Sequence, residues 1–245
     1  MTRLGGVVLL AAPNLRARAY ADAMLRAGLG PERVVLFGPV EEPAAPTWDA
    51  GTWPHGLPRP FLDEPVERIA KRGGWPVTKL AAASVNDPCV ARALHEAEAR
   101  FVIYAGIGGQ LVSAETLGAA PFLHIHSGWL PRWRGSTTLY YSLLETGRCA
   151  SSAILLDPGI DTGALLARRH YPPPVGGEID HYYDGAIRAD LLLRVLRHYA
   201  RYGSLPAPRA QTGMARTYYV IHPVLKHVAR LMTERRDALA GSPRP

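Results

Sequence analysis

Residues 6–37 read GVVLLAAPNLRARAYADAMLRAGLGPERVVLF, and this stretch decides the fold. The run at 6–12 is continuously apolar and rich in branched side chains, which is typical of a strand covered on both faces of a parallel sheet. Asn14 is a common helix-capping residue, and the Ala, Leu and Arg residues that follow it end at Gly28. A second apolar run follows at 33–37. This order predicts a β–α–β unit.

The same alternation of short apolar runs and helical segments continues along the chain. Asp87 and Pro88 form a helix start, with Asp87 as the cap and the helix ending near Arg100. The other predicted elements are a short helix at 64–72, strands at 101–105, 121–125 and 151–156, and a helix at 178–202 whose core-facing stripe is Leu191, Leu192, Val195, Leu196 and Tyr199. This pattern predicts an α/β fold, with a Rossmann-like, mostly parallel sheet and helices on both faces.

The chain divides into a main domain, residues 1–203, and an extension, residues 204–245. The extension carries a predicted strand at 217–221 and a predicted helix at 223–239. About forty residues are too few for a second full domain. Three roles stay open for the extension: docking on the main domain, covering a substrate site, or forming a homodimer contact.

The composition is that of a globular protein with surplus positive charge. The 245 residues carry 28 Lys and Arg against 21 Asp and Glu, a formal charge of +7, and 47% of them are hydrophobic. The Arg residues are spread along the chain, whereas nucleic-acid-binding proteins gather them on one face. We therefore expect no nucleic-acid partner and a small ligand that carries negative charge.

Cysteine usage and hydropathy predict the compartment. Cys89 and Cys149 are the only cysteines and lack disulfide or metal-ligand spacing, which is typical of a reducing cytoplasm. No apolar run approaches the roughly 20 residues of a membrane span, and the first residues lack a cleavage-site pattern. The sequence predicts a cytoplasmic protein with no membrane partner.

The polar residues of segment 122–166 are the candidates for chemistry. His124 and His126 lie at the end of a predicted strand, where alternation places both on one face. Asp161 follows in the loop DPGIDTG at 157–163. Three interpretations are open for two histidines and a carboxylate. They could form a zinc site, the histidines could be structural residues hydrogen-bonded to the backbone, or a histidine and the carboxylate could act as an acid–base pair. The acid–base interpretation leads, and no metal is expected, because other His, Cys or Asp residues at ligand spacing are absent.

The motifs of this segment occur together in a fixed order. They are Leu123-His124-Ile125-His126-Ser127, Leu130-Pro131, Arg134-Gly135, Leu156-Asp157 and Asp161-Thr162-Gly163. Together they resemble the folate-dependent formyltransferases, a family that includes glycinamide ribonucleotide, methionyl-tRNA and sugar-amine formyltransferases. The resemblance follows the element order over residues 6–203. It implies that a formyl group passes from the co-substrate 10-formyltetrahydrofolate to an amine.

The resemblance implies roles for three catalytic residues. His126 would donate a hydrogen bond to the developing oxyanion and assist proton transfer, and Asp161 would hold the imidazole tautomer and relay the proton. His124 stands where the family has Asn, and imidazole donates only from the correct tautomer or when protonated. Two alternatives stay open: a formyltetrahydrofolate hydrolase or a transferase with another acyl donor, and a non-catalytic binding protein.

The resemblance also places residues around the two ligands. The predicted folate contacts are Gly106, Ile107, Leu111, Leu155, Leu156, Asp157, Gly159 and Ile160. The predicted acceptor contacts are Trp129, Arg132, Arg134 and Tyr140. The loop at 11–14 lacks a Gly-rich phosphate turn, which disfavours a glycinamide ribotide, and the chain lacks room for the further domain of the tRNA enzyme. A small-molecule amine, such as a sugar amine, is the predicted acceptor.

Overall fold

The computed structural model describes residues 1–39, 43–47, 53–54, 56–174 and 179–240, with side-chain surroundings as far as residue 234. Its strands are β1 (Thr2–Ala11), β2 (Leu29–Leu36), β3 (Val77–Lys79), β4 (Phe101–Ala105), β5 (Phe122–His126), β6 (Arg134–Gly135), β7 (Cys149–Leu155), β8 (Leu165–Tyr171) and β9 (Thr217–Tyr218). Its helices are α1 (Leu15–Arg26), α2 (Val66–Arg72), α3 (Pro88–Glu96), α4 (Ala114–Leu117), α5 (Thr138–Thr146), α6 (Asp184–Tyr202) and α7 (Pro223–Ala240). A π-helical turn, Ile179–Tyr183, precedes α6.

Seven strands form one sheet in the order β3-β2-β1-β4-β5-β7-β8. The five strands β1 to β5 are parallel to one another, whereas β7 pairs antiparallel with both β5 and β8. This confirms the predicted α/β fold and its mostly parallel sheet. The chain order runs outward in both directions from the β1–β4 pair, so the crevice between the carboxyl ends of β1 and β4 is the topological switch point, where open α/β sheets bind ligands.

The alternation of β1 explains why helices cover both faces of the sheet. Val7 and Leu9 belong to one core cluster, with residues of α1, α2 and α6, and Val8 and Leu10 belong to a second cluster, with residues of α3. Each set lies on one face because neighbouring side chains of a strand point in opposite directions. The predicted apolar stripe of α6 is buried along its whole length, as expected of core residues.

Several boundaries differ from the sequence-based expectations. The helix α3 ends at Glu96. Asp87 is its N-cap residue, as predicted, but the carboxylate accepts the Ser84 N–H at 3.1 Å and makes no capping hydrogen bond. The α-helix expected from 178 begins at Asp184, and the expected first residue, Glu178, lies outside the described residues. The sequence gives no apolar signal for β8, because this edge strand exposes Arg169 and His170.

The extension docks on the main domain. Its strand β9 pairs in parallel with β6, and Arg209 bridges to Leu165 in β8. The Gln211 side chain donates to the backbone carbonyls of Asp161 and Gly163 at 2.8 Å each. The domain boundary at residue 203 stays a prediction. Every helix in the described ranges is too short or too polar to cross a lipid bilayer.

Candidate active site

A cavity of about 550 Å³ opens at the carboxyl ends of the central strands. Its walls come from the loop after β4, the end of β5, the loop after β7, the start of α6 and residues 217–220 of the extension. Its volume lies in the range of small-molecule sites, roughly 300–1,000 Å³. His124, His126 and Asp161 all line it. The structure therefore brings the three predicted catalytic residues into one cavity at the switch point.

The His126 ring is fixed by contacts to one of its nitrogens. Nε2 lies 2.7 Å from the Trp133 carbonyl oxygen and 3.2 Å from the Thr138 hydroxyl oxygen. The Thr138 hydroxyl donates its own hydrogen to the Ser127 carbonyl, so toward His126 its oxygen acts as an acceptor. Two acceptors facing Nε2 require that this nitrogen carries the proton. The neutral ring therefore presents a bare Nδ1 to the cavity.

Asp161 faces that bare nitrogen. Its Oδ2 lies 3.3 Å from His126 Nδ1 and accepts the Gly135 N–H at 2.8 Å. Asp161 has a left-handed backbone, with φ 52°. Gly135 has φ 96°, and a Cβ there would lie 2.1 Å from the Tyr218 carbonyl oxygen, so only glycine suits the position. The main chain of two segments and the Gln211 side chain thus hold the carboxylate against the imidazole.

This geometry corrects the role expected for Asp161. The Trp133 carbonyl, rather than Asp161, selects the His126 tautomer. Burial lowers the pKa of His126 below its usual value, and the nearby Asp161 carboxylate opposes that effect. The resting pair is thus a neutral imidazole beside a carboxylate, two proton acceptors side by side. A proton that arrives on Nδ1 is stabilised by Asp161.

The His124 side chain lines the same cavity. Its ring is hydrogen-bonded to the Tyr104 backbone, and its buried Nδ1 has no hydrogen-bond partner among the described residues. Burial, together with the charges of Arg16 and Arg188, holds the pKa of His124 well below its usual value. A neutral imidazole has one N–H and one lone pair, so the ring donates from one nitrogen and accepts at the other. The oxyanion-donor role expected for His124 stays a prediction.

Three charged residues that the sequence analysis did not single out surround the histidines. Arg188 Nε lies 2.7 Å from the Asp184 carboxylate, and the Arg188 guanidinium also donates to the Ile125 carbonyl of β5. Arg16 donates to the Gly106 carbonyl at 2.7 Å, while its buried Nε has no partner in the described part of the chain. The helical spacing of Asp184 and Arg188 and the position of Arg16 at the switch point were the available signals.

Known proteins resemble this chain both in sequence and in fold. No family model matches the chain. A methionyl-tRNA formyltransferase of Halorhodospira halophila is 28% identical over 198 residues, which cover 79% of this chain and 58% of that protein. Another, from Methylobacterium nodulans, is 26% identical over 231 residues, 92% of this chain and 67% of that protein. The chain is thus similar in sequence to methionyl-tRNA formyltransferases over most of its length. It spans about three fifths of the length of the first of these relatives.

Solved formyltransferase structures share the fold. An N-formyltransferase from Helicobacter canadensis, in complex with folinic acid and dTDP-3-aminofucose, matches with a TM-score of 0.57 and 14% identity over 93% of this chain and 80% of that chain. A phosphoribosylglycinamide formyltransferase from Streptococcus pneumoniae matches with a TM-score of 0.56 and 16% identity over 79% of this chain and 98% of that chain.

The folate contacts predicted for this formyltransferase relative mostly line the cavity. The residues that do so are Ile107, Leu111, Leu156, Asp157, Gly159 and Ile160. Gly106 and Leu155 are not among the lining residues. The Gly106 carbonyl accepts hydrogen bonds from Asn14 and Arg16, and Leu155 is the last residue of β7. Their contacts with folate stay predictions.

The acceptor contacts predicted for this formyltransferase relative divide into two groups. Tyr140 lines the cavity, where its hydroxyl donates to Asp180 at 2.7 Å. Trp129, Arg132 and Arg134 do not line it.

Those three side chains have partners elsewhere. Trp129 stacks on His170 with ring centroids 4.1 Å apart, and Arg132 pairs with Glu145 at 2.9 Å. Arg134 donates to Gln211 at 2.8 Å. The expectation that they contact a substrate in the cavity is corrected accordingly.

Proposed function

We propose that this chain transfers a formyl group from 10-formyltetrahydrofolate to an amine of a small molecule. The observation that carries the proposal is the pair of His126 Nδ1 and Asp161 Oδ2, 3.3 Å apart in the switch-point cavity. Formyl transfer needs a group that removes a proton from the attacking amine and returns it to the leaving nitrogen. A neutral imidazole backed by a carboxylate is suited to both steps.

The proposed chemistry balances with this pair alone. The amine nitrogen attacks the formyl carbon, a C–N bond forms, and the carbonyl electron pair moves to oxygen. Nδ1 of His126 takes the proton from the attacking nitrogen, and Asp161 stabilises the imidazolium. That proton passes to N10 of the folate as the bond between N10 and the formyl carbon breaks and the carbonyl re-forms. The products are a formamide and tetrahydrofolate.

Positive charge near the histidines supports the oxyanion step. The imidazolium Nδ1–H that exists after the first proton transfer donates toward the oxyanion, and Arg16 and Arg188 line the same cavity. Charges that are already in place in a partly enclosed site act without reorganisation, so they stabilise the charge that develops there.

A small amine fits the cavity better than a macromolecular acceptor does. Residues 217–220 of the extension line the cavity beside the histidines, so the extension narrows the approach to them. The relative solved with dTDP-3-aminofucose has a sugar-nucleotide ligand. We infer an amino sugar or a similar metabolite as the acceptor, and the cationic cavity favours one with an anionic group.

The test is incubation of the chain with 10-formyltetrahydrofolate and a panel of acceptors: amino sugars, dTDP-linked amino sugars, amino acids and methionyl-tRNA. Tetrahydrofolate is followed by absorbance and the formylated product by mass. We expect a product with an amino sugar. Formate release without any acceptor would instead indicate a hydrolase, and a product only with methionyl-tRNA would overturn the small-molecule acceptor.

The matched controls are His126→Gln and Asp161→Asn, which keep side-chain size and remove the proton acceptors. We expect turnover to fall by about 10²–10⁴ while folate binding, measured by fluorescence, stays within a few-fold. The absence of both turnover and folate binding in the unmodified chain would overturn the proposal.

A further inference from the structure

His124, His126 and Asp161 line the same cavity and bring possible ligand atoms close together. One ligand atom from each residue lies within 4.8 Å of the other two, and His126 Nδ1 and Asp161 Oδ2 are 3.3 Å apart. The buried Nδ1 of His124 has no hydrogen-bond partner among the described residues. A buried polar nitrogen without a partner is costly, and two imidazoles and a carboxylate at this spacing are suited to a cation.

The outer contacts of the two histidines are those of metal ligands. The Nε2–H of His126 donates to the Trp133 carbonyl, and the ring of His124 is hydrogen-bonded to the Tyr104 backbone. A histidine that binds a metal through one nitrogen normally donates the other N–H to a carbonyl or carboxylate, which fixes the tautomer and the ring orientation. The His126 ring is thus already held with the lone pair of Nδ1 toward Asp161 in the cavity.

We propose that His124, His126 and Asp161 form a binding site for one divalent transition-metal ion of the zinc type. Metal–nitrogen and metal–oxygen bonds of about 2.0–2.2 Å place neighbouring ligand atoms roughly 3.5 Å apart. The His126–Asp161 separation of 3.3 Å already meets that spacing. The longest separation, at most 4.8 Å, requires a side-chain movement of about 1 Å to close. This proposal departs from the sequence-based expectation of no metal.

The surroundings restrict the type of ion and its remaining ligands. Two imidazole nitrogens favour Zn²⁺, Co²⁺ or Ni²⁺ over Mg²⁺ and Ca²⁺, which prefer oxygen. Arg188 is paired with Asp184 at 2.7 Å, while Arg16 also lines the cavity. The added positive charge of the metal makes an anionic fourth ligand, such as hydroxide or a substrate carboxylate, favourable.

The metal site goes beyond formyl transfer and does not depend on it. His126 Nδ1 holds either a metal ion or the proton taken from an amine, because it has one lone pair. A bound ion therefore removes the proton acceptor that the proposed transfer uses. The site would therefore either bind zinc or transfer a formyl group, but not both at once. His124 supplies the additional ligand that zinc binding requires.

Cobalt titration tests the site without any folate or amine. The chain is freed of metal with a chelator and titrated with Co²⁺, and the visible absorption and the stoichiometry are measured. We expect one equivalent to bind with the absorption of a nitrogen-ligated ion, and Zn²⁺ to displace it. His124→Asn should weaken binding by at least about tenfold, whereas His95→Asn, an exposed histidine outside the cavity, should not change it.

A second measurement uses the unmodified chain, so that a folding defect in a variant does not matter. Diethyl pyrocarbonate modification is read out by peptide mass spectrometry with and without Zn²⁺. We expect Zn²⁺ to protect the peptide that contains His124 and His126 and to leave the modification of His95 unchanged. Equal protection of all histidines, or equal Co²⁺ affinity in His124→Asn, would overturn the proposed site. Failure of formyl transfer would affect neither readout.

Discussion

The Trp133 carbonyl accepts the Nε2–H of His126 at 2.7 Å, and this contact determines which nitrogen of the ring faces the cavity. A backbone carbonyl cannot change its protonation state, so the tautomer is fixed at any pH near neutrality. Asp161 is thereby left to stabilise a proton on Nδ1. In this site a main-chain carbonyl sets the tautomer of the histidine, and a carboxylate stabilises its protonated form.

Gly128→Ala should disturb that contact directly. A Cβ at position 128 would lie 2.8 Å from His126 Nε2 and 2.8 Å from the Trp133 carbonyl oxygen. We expect a loss of about 1–3 kcal/mol of unfolding free energy from overpacking and at least a tenfold loss of turnover. Urea unfolding and kcat are the measurements. Gly5→Ala is the control, because a Cβ there meets no atom within 4 Å. Equal effects of the two substitutions would contradict the role given to the Trp133 contact.

Asp161→Asn should change the pH dependence of formyl transfer. The Asp161 charge raises the pKa of His126, although burial leaves that pKa below its usual value. The proton acceptor must be neutral, so kcat/KM rises as the pH increases through this pKa. Removing the carboxylate lowers the pKa further. The acidic limb of the profile, measured in chelator, therefore moves to lower pH, and the plateau falls by about 10²–10⁴. A shift toward higher pH would contradict this assignment.

The sequence was sufficient for the central fold and for the convergence of three residues. A short, fully apolar run such as residues 101–105 indicates a strand of a parallel sheet that is covered on both faces. Alternation along β5 places His124 and His126 on one face. The elements that the sequence missed have weaker patterns. The helix α5 begins after Thr137, which has a left-handed φ of 49° and makes no side-chain capping hydrogen bond. This start is not of the usual capped kind that a sequence pattern indicates.

The parts of the site that sequence reasoning missed depend on contacts without a side-chain signature. The Trp133 carbonyl and the Gly135 N–H are main-chain atoms, and every residue except proline has both groups. Arg188 reaches β5 from a helix 63 residues further along the chain. Its role depends on how α6 packs against the sheet, which periodicity does not specify. The tautomer of His126 follows from such a contact.

The two cysteines should differ in their reactivity toward a thiol-labelling reagent. Cys149 is fully buried in β7, and burial raises the pKa of its thiol to about 12. Only the thiolate reacts with iodoacetamide, so Cys149 should stay unmodified at pH 8 in the native chain. The half-buried Cys89 should react, and both should react in guanidinium chloride. Peptide mass spectrometry gives the result. Rapid labelling of Cys149 in the native chain would show that β7 is more accessible than the structure indicates.

Arg188→Met should destabilise the chain more than the loss of an ordinary ion pair does. Arg188 and Asp184 have side chains only 14% and 21% exposed, and the Ser127 hydroxyl also donates to Asp184. Removing the guanidinium leaves a largely buried carboxylate without its cation, which costs about 3–5 kcal/mol for a buried pair. The partial exposure of Asp184 places the expected loss near the lower end of that range.

The control for this prediction lies on the same helix. Arg194 pairs with Asp190 at 2.9 Å with the same four-residue spacing, but its side chain is 47% exposed. Arg194→Met should therefore cost less than about 1 kcal/mol in urea unfolding. Asp184→Asn combined with Arg188→Met removes both charges, and the double variant should be more stable than Arg188→Met alone. If the double variant is the less stable of the two, the unpaired Asp184 charge is not the cause of the loss, and the packing of the Arg188 side chain against β5 is.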